Sequence, residues 1–465
     1  MNEQIKQYFL AHRTEILADI ASVVAINSVK GPAEEGKPFG KGPAAAVAQA
    51  EKIAHRMGFT TKNFDNYVLT INTDPDAKEA ELGILCHLDV VPAGEGWSSD
   101  PFEMIEKDGK IYGRGVTDDK GPAISMLWCL KACKDLGIKL SKNCRLILGA
   151  DEECGSSDLA YYFTKEDYPK YSVSPDAEFP VYNCEKGRFS TTIRAKYMND
   201  DLPCLVSFHG GDTANAVPKK AFAVVEGISY KKLRTVADEY EVKTKAKFDI
   251  EEMGKQAKIL CEGTAAHAST PDLGNNAVTA LLAMVNALPL KGELAGYIEG
   301  LAANFPHGDF HGEAAGINMA DEVSGPITFT LDILNIDQCE IQGIFDIRAP
   351  LCSNEENTSK VLEKSLNKYG LTLDSTEMEP PHYVDEKLPF IHTLLKSYED
   401  YTGLKGECLS MGGGTYVHEI ENGVAFGPCL PGYVANIHSA DEEAVVDDLL
   451  TNAMIYTQVI KDMCE

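Results

Sequence analysis

Positive charge is scarce in this sequence. Its 465 residues hold 43 Lys and Arg against 71 Asp and Glu, a net charge of −28. No Lys/Arg cluster offsets that field, so a nucleic-acid backbone or an anionic membrane is a poor partner. Much of the acidity reads as solvated surface. Paired cysteine spacing is also missing: there are 13 cysteines, an odd number, and no C-x-x-C anywhere. That excludes a zinc ribbon, a thioredoxin motif and a secreted disulfide framework. The cysteines read instead as small apolar residues in a reducing compartment, with Cys129 and Cys133 packing on one helical face. No run of about 18 apolar residues occurs, so no membrane span is expected. The opening MNEQIKQYFLAHRTEILADI has an amphipathic rhythm through Ile5, Phe9, Ile16 and Ile20. It lacks the apolar block and small-residue cleavage site of a signal peptide. The expectation is a cytoplasmic protein that binds neither nucleic acid nor membrane. Repeats and low-complexity segments are absent as well.

What is present is a globular composition, 44% hydrophobic and 25% charged, at a length that suits two or three domains. After the first helix, KGPAAAVAQAEKIAHRMGF predicts a second. YVLTIN, ELGILCHLDVV and CRLILGADEE read as strands and GPAISMLWCLKACKDLG as a helix, with Pro122 in its first turn. That alternation predicts an α/β layer with a parallel or mixed sheet flanked by helices. From about Glu185 the texture changes. RFSTTIRAKYM, AKILCEGTAAHAS and IQGIFDIRAPL alternate apolar and polar residues, and helical stretches such as NNAVTALLAMVNALPL lie between them. This predicts an α+β domain with one sheet face covered. Beyond Pro380-Pro381 the first texture returns, and a capping-box pattern, Ser439 to Glu442, reads as the start of the last helix. Residues 1–184 and 385–465 are thus expected to form one discontinuous domain, with 185–384 inserted into it.

Acidic residues and histidines gather at the ends of the expected strands, where open α/β sheets bind ligands. His87 and Asp89 close ELGILCHLD and point to one face of it. GRGVTDDKGP places two aspartates between glycines and a helix start, a pattern an N-cap and a solvated neighbour would also give. Asp151, Glu152 and Glu153 follow an apolar strand directly, and three carboxylates there repel unless cations or protons intervene. A dinuclear metal site resolves that conflict. Asp176 precedes an apolar run in SPDAEFPVYN, and His438 precedes the last helix in NIHSADE. Each taken singly is a weak signal, because a lone histidine more often serves packing than coordination.

Taken together and in this order, HLD, GRGVTDDKG, DEE, PDAEFP and NIHSADE resemble the M20 metallopeptidase family, and its PepV-like dipeptidase branch most closely, essentially end to end. The resemblance implies a zinc-peptidase-like catalytic domain interrupted by a lid domain, with two Zn2+ per subunit, Mn2+ or Co2+ being possible substitutes. Carried across, His87 and Asp176 hold one zinc, Glu153 and His438 the other, and Asp118 bridges them, chosen over Asp119 because DDKG matches the family's D-x-K-G. Asp89 supports His87, and Glu152 is the general base that acts on a metal-bridging hydroxide.

In the middle domain, GTAAHASTPDLGNNA resembles the family's lid motif and implies that His267 stabilises the tetrahedral oxyanion. GDTANAVPKKA and GIFDIRAP offer Asn215 and Arg348 for a free substrate carboxylate; Arg348 could instead serve Asp346 structurally. Gly413 and Gly414, in SMGGGTY, could bring backbone N–H groups to the substrate. The implied activity is hydrolysis of unblocked dipeptides, the alternative being an M20 amidohydrolase acting on N-acyl amino acids. The middle domain is about twice one ferredoxin-like unit, which resembles the PepV-like arrangement of an enlarged lid in place of a dimer partner, and that resemblance implies a monomer whose own His267 completes its site.

Overall fold

The structure is a computed structural model and describes residues 2–198, 202–337 and 339–465. The chain divides into two compact units. The first comprises the residues up to Cys184, Tyr383–Leu409 and Gly414–Glu465; the second comprises Glu185–His382 and Ser410–Gly413.

The first unit is built on a mixed sheet. Its centre is four parallel strands in the order Cys144–Gly149, Leu82–His87, Tyr171–Ser174 and Gly423–Ala425. Val68–Asn72 and then Thr61–Phe64 extend it in antiparallel fashion beyond Cys144–Gly149. Leu82–His87 and Cys144–Gly149 are buried at every residue, as strands covered on both faces must be. The helix Lys120–Asp135 lies between strand Leu82–His87 and the last helix, Val446–Cys464. Being enclosed on nearly all sides, it needs an almost continuous apolar surface, which explains GPAISMLWCLKAC. Cys129 sits in that core and turns its Sγ to the carbonyls of Ser125 and Ala453. The amphipathic opening forms two helices, Asn2–Ala11 and Arg13–Val24, rather than one. Between them His12 stacks on Tyr8 with ring centroids 4.2 Å apart and places Nδ1 2.8 Å from the Tyr8 carbonyl.

The second unit is an antiparallel sheet running Lys247–Met253, Gln256–Glu262, Lys220–Glu226, Cys204–Gly210, Thr328–Asp337, Glu340–Ala349, Thr192–Lys196 and Thr372–Leu373. Burial alternates along Lys220–Glu226 and Gln256–Glu262, the mark of a sheet covered on one face. Helices Tyr230–Thr244, Ala277–Asn286 and Glu293–Asn304 pack on it. The expected strand RFSTTIRAKYM is two pieces, Gly187–Phe189 and Thr192–Lys196, both paired with Glu340–Ala349. Among the described residues, no helix is long and apolar enough to cross a membrane.

Candidate metal and catalytic site

The carboxyl ends of the parallel strands converge on one point of the first unit. Leu82–His87 ends in His87, and Cys144–Gly149 runs into the short 3-10 turn Glu152–Cys154. Asp176 follows Tyr171–Ser174 by two residues. Asp118 and Asp119 immediately precede helix Lys120–Asp135. His438 lies on an exposed loop before the last helix, at a φ of 58°.

Asp118 is the hub. Its Oδ1 lies 2.9 Å from His87 Nε2 and its Oδ2 2.9 Å from His438 Nε2. Asp176 Oδ2 stands 3.8 Å from the same nitrogen of His87, and Glu153 Oε2 stands 3.2 Å from His438 Nε2. His87 with Glu152 and Asp176, and His87 with Asp118 and Glu153, each bring one donor atom apiece to within 4.8 Å of one another. Asp119, the neighbour, turns away and accepts the His87 backbone N–H at 3.0 Å. It occupies the helix N-cap position without capping the helix through its side chain.

The electrostatics show a cluster that needs positive charge. Burial opposes a charged His87, yet the adjacent Asp118 and Asp89 carboxylates outweigh it and raise the imidazole well above its usual value. Hydrogen bonds to Asp118 and Glu153 push His438 up to about 10. Burial works against ionised Asp118, but the two imidazoles hold it below the usual carboxylate range. Burial pushes Glu152 up to about 8 and Asp176 well above its ordinary value, neighbouring carboxylates adding to both. Glu153 Oε1 is buried and has no hydrogen-bond partner. Two imidazoles, a shared carboxylate and an orphaned buried oxygen form a donor set that fits divalent N/O-liganded cations.

Asp151 stands apart from that set. It is fully buried, and Lys30 Nζ reaches it at 2.6 Å. One member of the DEE triplet is therefore neutralised by a lysine, which leaves Glu152 and Glu153 for the site.

Several contacts to backbone N–H groups that fix this geometry carry no local sequence signal. Asp89 accepts the N–H groups of Glu152 and Glu153, each at 3.2 Å. His87 Nδ1 lies 3.0 Å from the Asp89 carbonyl and 3.4 Å from its carboxylate, an arrangement that orients the ring. Asp158 accepts the N–H groups of Ala150, at 2.5 Å, and Asp151, at 2.9 Å, together with the buried Tyr416 hydroxyl. A Cβ at Gly149 would fall 2.1 Å from that hydroxyl, so only glycine lets the strand end pass there. Asp158→Ala strands two buried N–H groups and a phenol at once. The expected loss of stability is about 3 kcal/mol or more at roughly 1–3 kcal/mol per unpaired group, read from urea unfolding.

The expected substrate residues lie in the second unit, Gly414 excepted, which belongs to the first. Ala216–Val217 pairs with Ala266–His267, and Ala268 N–H donates to the Asn215 carbonyl at 3.0 Å. His267 is exposed, and its Nδ1 accepts the Ser269 N–H at 3.1 Å. Gly412 packs so closely on Ser269 that a Cβ would meet Ser269 Cβ at 2.6 Å. Arg348 Nη1 donates to the Gly412 carbonyl at 2.6 Å, and Nε and Nη2 fork onto Asp346 at 2.6 and 3.1 Å. Asn215, His267 and Arg348 thus belong to one connected patch, joined through Ser269 and the glycine loop that continues into Gly413.

Residues 83–462 match Peptidase family M20/M25/M40. The chain belongs to this family. It is a metal-dependent peptidase. Beta-Ala-Xaa dipeptidase of Lactobacillus delbrueckii subsp. lactis is 33% identical over 472 residues, covering 100% of this chain and 99% of the relative. YtjP of Bacillus subtilis (strain 168), provisionally named a dipeptidase, is 33% identical over 460 residues, covering 97% and 98%. Among solved structures, human carnosine dipeptidase 1 superposes with a TM-score of 0.61 at 16% identity over 100% of this chain and 98% of that one. At that identity the likeness establishes the M20 fold, a mixed α/β architecture with helix-flanked sheets.

Proposed function

We propose that this M20 peptidase is a dizinc dipeptidase that releases two amino acids from unblocked dipeptides. The observation that carries the reading is Asp118, which offers one oxygen to His87 and the other to His438. A carboxylate placed between two imidazoles in that way suits a bridge between two cations. His87 and Asp176 would hold one zinc, Glu153 and His438 the other. When bound, the pair would supply Lewis acidity and lower the pKa of bound water toward neutrality. Glu152 takes a proton from the attacking water at its carboxylate while the oxygen joins the carbonyl carbon. It returns that proton to the amine nitrogen as the C–N bond breaks. Its affinity for a proton, raised with no cation beside it, suits the return of the proton, and two neighbouring cations would lower it enough for the carboxylate to accept one first.

His267 is the proposed oxyanion donor. Nδ1 faces the Ser269 N–H at 3.1 Å and the Ser269 hydroxyl at 2.7 Å, an arrangement that favours the neutral ring with its proton on Nε2, the tautomer a donor requires. Asn215 and Arg348 are the proposed partners of the substrate carboxylate, and Gly413 and Gly414 offer backbone N–H groups. Three of the five Arg348 N–H donors are already engaged by Asp346 and Gly412, so a clamp would use the remaining two. Arg348→Lys keeps the charge beside Asp346 and loses the fork. The expected result is a KM for dipeptides raised about tenfold, with little change for their C-terminal amides. An equal change on both substrates assigns the fork to Asp346 alone. The thirteen cysteines, none of them in a disulfide, support a cytoplasmic, reducing location, and we read the protein as a monomer.

The reading is tested by turnover of a dipeptide, its N-acetyl form and its C-terminal amide, with zinc, with manganese and after chelation. A β-alanyl dipeptide belongs in the panel because the Lactobacillus relative is a Beta-Ala-Xaa dipeptidase. Chelator-sensitive cleavage of free dipeptides alone is the expected outcome. Cleavage of the N-acetyl form points to a deacylase, and no turnover under any metal removes the dipeptidase reading.

A further inference from the structure

Glu442 looks in sequence like the end of a capping box, but the last helix begins at Val446, and Glu442 does not cap it. Its side chain is fully buried and faces a different segment. Oε2 accepts Arg114 Nη1 at 2.8 Å and the Gly115 N–H at 3.0 Å. Oε1 accepts the Thr117 N–H at 3.0 Å and the Asp118 N–H at 3.2 Å. Further bonds join the same two segments: Gly113 N–H to the Glu442 carbonyl at 3.1 Å, Thr117 Oγ1 to the Glu443 carbonyl at 2.8 Å, and Arg114 Nη2 to the Ser439 carbonyl at 3.1 Å. A buried carboxylate with four donors, one of them a guanidinium, has its hydrogen-bonding capacity filled by these segments.

We propose that Glu442 is a positioning residue for the metal centre, fixing Asp118 and His438 in one mutual geometry. This inference rests on the reading of Asp118 as the bridging ligand. One carboxylate holds the backbone N–H of Asp118 directly. Through Arg114 it also holds the carbonyl of Ser439, the residue that follows His438. The two groups that meet at 2.9 Å come from segments more than 300 residues apart in sequence, and this latch ties those segments together beside the site. Outer partners of metal ligands commonly contribute 10–100-fold in affinity or activity.

The test uses the full chain and zinc alone as the probe. Glu442→Gln is nearly isosteric, but its amide NH2 faces N–H donors on one arm, so half the latch is lost. In competition titration with a chromogenic chelator, the weaker of two zinc ions is expected to bind 10–100-fold less tightly. kcat falls by a similar factor and KM changes by less than about twofold. Glu442→Asp, which keeps the charge and shortens the reach, recovers part of the affinity. A merely structural role lowers the melting temperature in chelator but leaves zinc affinity and the zinc-induced rise in melting temperature as in the parent; that result overturns the proposal. Asp118→Asn is the control. If it retains two zinc ions at parental affinity, the bridging reading fails and the latch fails with it. If Asp118→Asn loses zinc while Glu442→Gln does not, only the latch fails. Should Glu442→Gln not fold, Arg114→Lys removes the fork alone and is judged by the same zinc affinity, with a smaller expected loss.

Discussion

Glu152→Gln keeps its metals and loses activity by about 10²–10⁴-fold, the range over which a positioned general base contributes. The substitution preserves shape and the half-buried setting, and removes only the ability to take a proton. In the proposed ligand set Glu152 contributes no oxygen, so metal content by elemental analysis stays at that of the parent. Its raised proton affinity comes first from burial and then from the neighbouring carboxylates. Two cations beside it would draw that value back toward neutrality, where a base that must also return its proton works best. Retained turnover removes Glu152 as the base. Lost turnover together with lost metal makes it a ligand, a role its place beside His87 and Asp176 would permit.

Asp118→Asn is expected to be at least as damaging, through a different quantity. The amide keeps an oxygen for one histidine's side and presents an NH2 to the other, so one of the two contacts at 2.9 Å becomes repulsive toward a cation. Zinc stoichiometry should fall below two, and kcat/KM should fall by about 10³-fold or more, since several kcal/mol of transition-state stabilisation is removed and each 1.36 kcal/mol is a factor of ten. Equilibrium dialysis with zinc separates this result from that of Glu152→Gln. The same activity loss with two metals still bound contradicts the bridge.

How much of this was legible beforehand differs by residue. The strands leading to His87 and Glu152 were visible as apolar runs ending in polar residues, because fully buried parallel strands leave no other pattern. The helix Lys120–Asp135 was visible for the same reason. Asp119, Asp158 and Glu442 were not. Each works by accepting backbone N–H groups of another segment, and backbone donors carry no side-chain signature in the partner sequence. Glu442 was masked further by a local pattern, Ser-x-x-Glu, that fits a helix start without being one. The pairing of Arg348 with Asp346 was legible as an alternative, because residues two apart on a strand share a face. The bond from Arg348 to the Gly412 carbonyl, 64 residues away, was not.

The parallel pairing of Gly423–Ala425 with Tyr171–Ser174 has a consequence for the protein's biogenesis. These strands are separated by about 250 residues of chain, and His438 and Glu442 lie beyond the later one. At about 5–20 residues per second, a ribosome needs on the order of tens of seconds to travel from the first strand to the second. Throughout that interval the nascent polypeptide carries His87 and its acidic companions but neither the second imidazole nor its latch. In the proposed ligand set, a chain stalled or truncated there holds His87, Asp118, Glu153 and Asp176 without His438. The proposed ligand set is assembled only after the segment carrying His438 and Glu442 has been made.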